Sequence, residues 1–209
     1  NIKIDNMIIQ SYSTTADSEH SAMTSLYPLE NGMAFAQYSG NKYNDIFEIY
    51  KKKDYHTVYM HGNEGTFWNR QNVYNVLQVD DLDFIDSFEP DSELINNWIS
   101  DESLYRQAVE KLKSVDGPFF SSIVASSSHT GFDLPGLEKK YDKVSIDVGE
   151  YKDTYFGNYL EAVNYADYAF GKFIERLKQE NLYDDTVIFI FGDHYRVSIR
   201  DIAVIILNS

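Results

Sequence analysis

Apolar and polar positions change period several times along this chain, and each change marks an element. Residues 2–10 alternate and then run apolar, which predicts a strand; the polar stretch SYSTTADSEH follows. Between Tyr43 and Lys53 the apolar positions Ile46, Phe47, Ile49 and Tyr50 fall at helical spacing, and the basic end suits a helix C-terminus. HTVYMHG predicts a short strand ending at His61-Gly62, and NEGTFWNRQNVYNVL a loop that turns into a short helix. The acidic QVDDLDFIDSFEPDSE reads as surface loop. SDESLYRQAVEKLKSV predicts a helix with acids in its first turn, capped by Ser100 or Asp101. PFFSSIVASSSH predicts a strand running into a serine-rich loop. Tyr155 to Gln179 predicts the longest helix, with Leu160, Val163, Ala166, Phe170, Phe173 and Leu177 as its apolar stripe. Thr186 to Phe191 predicts a fully buried, central strand that delivers Asp193-His194 at its end. The opening NIKIDNMIIQ and the closing DIAVIILNS both read as strands cut short, so residues 1–209 are expected to form a single, incomplete domain.

Strands that alternate with helices favour an α/β fold with a largely parallel central sheet flanked by helices. In such sheets ligands sit beyond the carboxyl ends of the strands. Four polar clusters follow the expected strands: SYSTTADSE, HGNEGTFWNR, SSSHTGF and GDHY. Parallel strands would gather all four at one edge.

Composition narrows the partners. A formal net charge of -15 argues against binding nucleic acid through a basic face. An anionic substrate would need local compensation by a metal or by selected Arg and His. The chain has no cysteine, which excludes disulfides, a Cys nucleophile and a thiolate metal site. No apolar run approaches the roughly 20 residues that span a bilayer.

Each cluster carries a chemical reading beside a plainer one. Asp193 and His194 together suit a divalent ion such as Mn²⁺ or Zn²⁺; alternatively Asp193 caps a helix and His194 packs. Thr15 offers a hydroxyl that a metal can activate toward phosphorus or sulfur; alternatively Ser and Thr here cap a helix beginning near Ala16, with Glu19 as the reciprocal partner. Arg70 offers a planar fork for phosphate and Trp68 a flat wall for a polyol; alternatively Arg70 pairs with one of the many surface acids, and Phe67 with Trp68 joins the core, the reading favoured for Phe67. His129 can hold a phosphate oxygen or protonate a leaving group, or it is a surface loop histidine.

Taken together, TADSE, YMHGNEGTFWNR, PFFSSIVASSSHTGF and the long segment ending in GDHY resemble the lipoteichoic acid synthase family, phosphoglycerol transferases with a sulfatase/alkaline-phosphatase-like fold. The resemblance runs in order from about Thr15 to Tyr195. It implies that Thr15 is the nucleophile and a metal ligand, that Asp193 and His194 are further ligands of a Mn²⁺ site (Zn²⁺ or Mg²⁺ being alternatives), and that Trp68, Arg70 and His129 hold the phosphoglycerol. His61 and Tyr195 fall in matching motifs with less defined roles. The family's further ligand, a Glu, comes from a strand upstream of this chain. Asn63 stands where Asp is common, Arg196 where Gly is usual, and VSIRDIAVIILNS departs from the family pattern.

The resemblance also implies substrates: a phosphatidylglycerol-type lipid headgroup as donor, and a polyol-phosphate or glycolipid as acceptor. It implies work at the membrane surface on the extracellular side, by a membrane-anchored full-length protein of which this is a soluble part. The alternatives are a phosphoethanolamine transferase of the same superfamily, or a non-catalytic binding remnant. A classical sulfatase is disfavoured because no C/S-x-P-x-R motif occurs.

Overall fold

The computed structural model describes residues 14–89, 94–133, 136, 144–193 and 202–208, the last segment by its backbone. The strand expected over residues 2–10 lies outside them, as do His194, Tyr195 and Arg196.

A five-stranded sheet runs in the order β2-β1-β5-β7-β6, where β1 is His56–His61, β2 Asp81–Asp83, β5 Phe119–Val124, β6 Thr186–Gly192 and β7 Ile202–Asn208. Strand β1 pairs in parallel with both β2 and β5, while β7 pairs antiparallel with β5 and with β6. Hence β1, β2, β5 and β6 share one direction and only β7 opposes them. The fold is α/β with a largely parallel sheet, as the alternation of elements predicted. A separate hairpin joins β3 (Leu94–Ile95) and β4 (Trp98–Ile99) across Asn96 and Asn97, both in the left-handed region. Asparagine tolerates that region, which suits a two-residue turn.

Side-chain alternation divides the core. Val58, Met60, Phe119 and Ile123 pack on one side of the sheet with α5 (Asp101–Leu112) and α6 (Tyr155–Gln179). Tyr59, Phe120 and Val124 pack on the other with α1 (Thr15–Thr24), α2 (Ala34–Gln37), α3 (Ile46–Lys51) and α4 (Arg70–Val76). A period of two along β1 and β5 therefore yields two helical layers. Helix α5 begins as expected, the Ser100 hydroxyl accepting from the Ser103 N–H.

Three expectations need correction. The acidic stretch thought to be surface loop contains β2. Its acids do not oppose pairing because partners hold them: Lys51 and the Thr57 N–H and hydroxyl bind Asp80, and His56 and Lys111 bind Asp81. On α6 the buried stripe is Ala162, Tyr165, Ala166, Ala169, Phe173 and Leu177, a line turned from the one anticipated, with Leu160, Val163 and Phe170 only half-buried. Three of those positions are alanines, so small side chains share the buried line with Tyr165, Phe173 and Leu177. Finally, among the described residues β6 is neither central nor fully buried. It lies at the sheet edge beyond β7, and Val187 and Phe189 stay 55% and 49% exposed. Among the described residues only part of the strand is covered: Ile188 packs into one core cluster and Phe191 into the other.

Candidate active site at the strand ends

Shared strand direction brings the carboxyl ends of β1, β5 and β6 to one edge. His61 ends β1, the loop after β5 carries Ser126 to His129, and Asp193 follows β6. The first turn of α1 belongs to the same region: Ala16, next to Thr15, shares its apolar cluster with Val124 at the end of β5 and Phe191 at the end of β6.

Thr14 is the residue that caps α1, its hydroxyl oxygen accepting the Asp17 N–H at 3.2 Å while its O–H donates to the Asp17 carboxylate at 2.9 Å. Thr15 and Glu19 therefore do not form the capping pair anticipated for them. Asp17 takes the reciprocal place, and Thr15 is left at the first helical position, half-buried. Among the described residues its hydroxyl has no hydrogen-bond partner.

Glu19, one turn on, is the centre of a buried polar node. Its Oε1 accepts from Arg70 Nε at 2.8 Å and Nη2 at 2.6 Å, and its Oε2 accepts from Tyr59 Oη at 2.9 Å and Tyr74 Oη at 2.6 Å. Burial opposes its charge, but the Arg70 guanidinium and the Arg70 and Tyr74 hydrogen bonds outweigh that, so its carboxyl lies below its ordinary range. Arg70 itself is 1% exposed. Its fork, expected to face a phosphate, grips Glu19, and Nη1 donates to the Phe67 carbonyl at 3.3 Å.

That carbonyl begins the turn over Phe67–Asn69, where Trp68 (φ 56°) and Asn69 (φ 60°) both adopt left-handed conformations. For a bulky residue such as Trp this is strained backbone, which persists only where surroundings enforce it. Asn69 Nδ2 donates to the Phe35 carbonyl and the Gln71 N–H to that of Gly65, adding to the grip of Arg70. Trp68 is half-buried, and Phe67 is not core as anticipated but 46% exposed. The turn folds Phe67 outward because the left-handed step at Trp68 reverses the chain.

His61 is buried beneath this edge, its Nδ1 2.9 Å from the Val124 carbonyl oxygen, which fixes Nδ1 as the protonated nitrogen. Burial first, and then the Arg70 charge, lower its pKa to about 4; His129 is close enough to add to the effect. His129 sits half-buried in the turn closed by its own N–H on the Ser126 carbonyl, with its ring edge-on to Trp98 at 5.3 Å. The loop is braced from below by Asp101, whose Oδ1 accepts the Ser126 and Ser127 N–H groups at 3.0 and 2.9 Å. Burial raises the Asp101 pKa. The sequence offered Asp101 only as an alternative helix cap; a carboxylate in a helix first turn beside a serine-rich strand exit was the available signal.

Folded His61 protonates near pH 4 and unfolded His near 6.5, so the unfolded state takes up the proton first. Its contribution to stability is complete above about pH 6.5 and falls as pH drops toward 4, a loss on the order of 2 kcal/mol by pH 5. Urea midpoints at pH 7 and pH 5 are expected to show this slope, and His61→Gln to flatten it. An equal slope in the variant would mean that other groups carry the acid sensitivity.

Thus the fold gathers the α1 first turn, the Trp68 turn, Arg70, His61 and His129, with Asp193 at the same edge, 2% exposed. His194 lies outside the described residues, and among the described residues no three His, Asp or Glu side chains group as metal ligands. No helix among them is long and apolar enough to cross a membrane.

The chain is 31% identical over 185 residues to the lipoteichoic acid synthase-like YvgJ of Bacillus subtilis, covering 88% of this chain and 29% of that protein. It is 31% identical over 188 residues to the lipoteichoic acid synthase of Staphylococcus aureus, covering 88% of this chain and 28% of that protein. The chain thus spans under a third of the length of these relatives. Among solved structures, the lipoteichoic acid synthase LtaP of Listeria monocytogenes superimposes with a TM-score of 0.81 at 30% identity, over 95% of this chain and 54% of that one. The Streptococcus pyogenes phosphoglycerol transferase GacH, in complex with sn-glycerol-1-phosphate, shares the fold, with a TM-score of 0.65 at 19% identity over 94% of this chain and 56% of that one. The sulfatase family model matches residues 6–199, and the chain belongs to the sulfatase family.

Proposed function

We propose that this chain is part of a phosphoglycerol transferase that moves the headgroup of a phosphatidylglycerol-type lipid to a polyol-phosphate or glycolipid acceptor in lipoteichoic-acid-type polymer synthesis. The observation that carries the reading is the convergence, at one strand edge, of the α1 first turn with the Trp68 turn, His129 and Asp193. Similarity to lipoteichoic acid synthases supports it.

The donor set of a Thr hydroxyl, a carboxylate and an imidazole, from Thr15, Asp193 and His194, fits a divalent ion such as Mn²⁺, Zn²⁺ or Mg²⁺. Bound there, the ion would lower the pKa of the Thr15 hydroxyl. The Thr15 oxygen attacks the donor phosphorus and gives up its proton; the Oγ–P bond forms, the bond to the diacylglycerol oxygen breaks, and that oxygen takes up a proton in exchange, so diacylglycerol leaves neutral and the step balances. His129 donates a hydrogen bond to a phosphoryl oxygen as negative charge builds there. Trp68 offers its ring to the glycerol, and Arg70, paired with Glu19, holds the turn that carries Trp68. An acceptor hydroxyl then displaces Thr15 and regenerates it. A lipid donor calls for work at a membrane surface, which in this reading is the outer face of the cell membrane.

The test is headgroup transfer by the full-length protein, after metal removal and after adding back Mn²⁺, Zn²⁺ or Mg²⁺ singly. Phosphoglycerol release restored by one ion is the expected result. Transfer of phosphoethanolamine instead would assign the related transferase activity. Donor binding without turnover under every ion would reduce the chain to a binding module.

A further inference from the structure

We propose that Glu19 is a positioning residue for donor binding: through Arg70 it holds the strained turn that presents Trp68. The proposal rests on the reading of Trp68 as a headgroup contact, but its structural half can be measured without substrate.

The chain of contacts is continuous. Glu19 Oε1 takes both Nε and Nη2 of Arg70, which leaves Nη1 to hold the Phe67 carbonyl. Phe67 starts the turn whose next two residues, Trp68 and Asn69, sit in left-handed conformations. A Trp held at φ 56° needs an outside restraint, since the relaxed backbone would return it to negative φ. Arg70 is the first residue of α4, and its buried side chain turns back beneath the turn it follows. The guanidinium would not stay there alone, because an unpaired buried charge is strongly unfavourable. Glu19 therefore makes the buried position of Arg70 tenable. Tyr59 and Tyr74 complete the node from the opposite side, each donating to Oε2. The Tyr74 bond goes to Oε2 and the Arg70 bonds go to Oε1, so the Tyr74 hydroxyl can be removed without removing an Arg70 bond.

Because Glu19 lies on the same helix as Thr15, four residues on, the node also ties the helix of the proposed nucleophile to the turn of the proposed headgroup contact. Fixing these elements relative to each other is what a transfer reaction needs, since misplacement by about 1 Å can cost about a hundredfold in rate.

The experiment uses Trp fluorescence. In the full-length protein, the emission lost on Trp68→Phe isolates the share of this tryptophan, and that difference is the reporter. Glu19→Gln is isosteric but removes the charge that retains Arg70. In that variant Trp68 emission is expected to shift to the red and acrylamide quenching to rise. In the same full-length protein, Glu19→Gln is expected to raise the donor KM about tenfold or more while kcat changes less. Tyr74→Phe removes a donor to Oε2; it is expected to lower stability while leaving Trp68 quenching and donor KM near the parent values. If Glu19→Gln does not fold, Glu19→Asp withdraws the carboxylate by one methylene and carries the same comparison. Unchanged Trp68 emission and quenching in the folded Glu19 variant would overturn the proposal. So would an equal Trp68 change in Tyr74→Phe, because general loosening would then explain it. A Trp68 shift with an unchanged donor KM would confirm the brace and overturn the headgroup reading of Trp68.

Discussion

Thr15→Ala is expected to abolish phosphoglycerol transfer by the full-length protein, a loss of at least about a thousandfold with metal in excess. The structure sharpens this expectation by separating Thr15 from its neighbour. Thr14 carries the helix cap, so Thr14→Ala should cost about 1 kcal/mol of stability. Thr15→Ala removes a hydroxyl that has no hydrogen-bond partner among the described residues, and should cost less. Stability and activity should thus move in opposite order in the two variants. Intact-protein mass after exposure to a phosphatidylglycerol analogue is the direct measurement. An adduct of one phosphoglycerol is expected on the parent and on Thr14→Ala, a weaker one on Thr15→Ser, and none on Thr15→Ala. An adduct on Thr15→Ala would remove Thr15 from the role of nucleophile.

The elements whose side chains repeat with a clean period were legible in the sequence. Strands β1 and β5 and helices α5 and α6 appear where their apolar positions put them, because each buries a regular face. Strand β2 was not legible: with only Leu82 apolar between Asp81 and Asp83, its pairing depends on Lys51, Thr57, His56 and Lys111, which come from elsewhere in the chain. For a related reason the sequence points to a central β6, which the described residues do not show. An apolar run tells of hydrophobicity but not of neighbours, and β7 takes the place beside β5. At the site, the gathering of strand ends followed from topology, which the alternation of elements reveals. The Glu19–Arg70 pair did not, since its members are 51 residues apart and only the folded chain brings them together. Neither did the left-handed backbone at Trp68, because no local residue preference calls for it.

Arg70 should therefore be more important to the fold than a surface phosphate-binding group would be. Arg70→Met leaves the Glu19 carboxylate buried with only the two tyrosine hydroxyls, and is expected to destabilise the protein by about 3–5 kcal/mol. Arg70→Lys keeps the charge but not the two-nitrogen grip on Oε1 or the bond to the Phe67 carbonyl, so an intermediate loss is expected. Replacing the whole node by apolar groups, with Glu19→Leu, Tyr59→Phe, Arg70→Met and Tyr74→Phe together, removes both the stranded charge and the unpaired hydroxyls. Buried ion pairs replaced in full are often neutral or better, so most of the lost stability should return. Transfer should not return, because the apolar node cannot hold the Phe67 carbonyl. Urea unfolding of the three variants, read beside donor turnover, separates the two effects. A loss below about 1 kcal/mol in Arg70→Met would show that the pair contributes little to the fold. Recovery of turnover in the fourfold variant would show that the turn needs no polar brace, and that Arg70 serves packing alone.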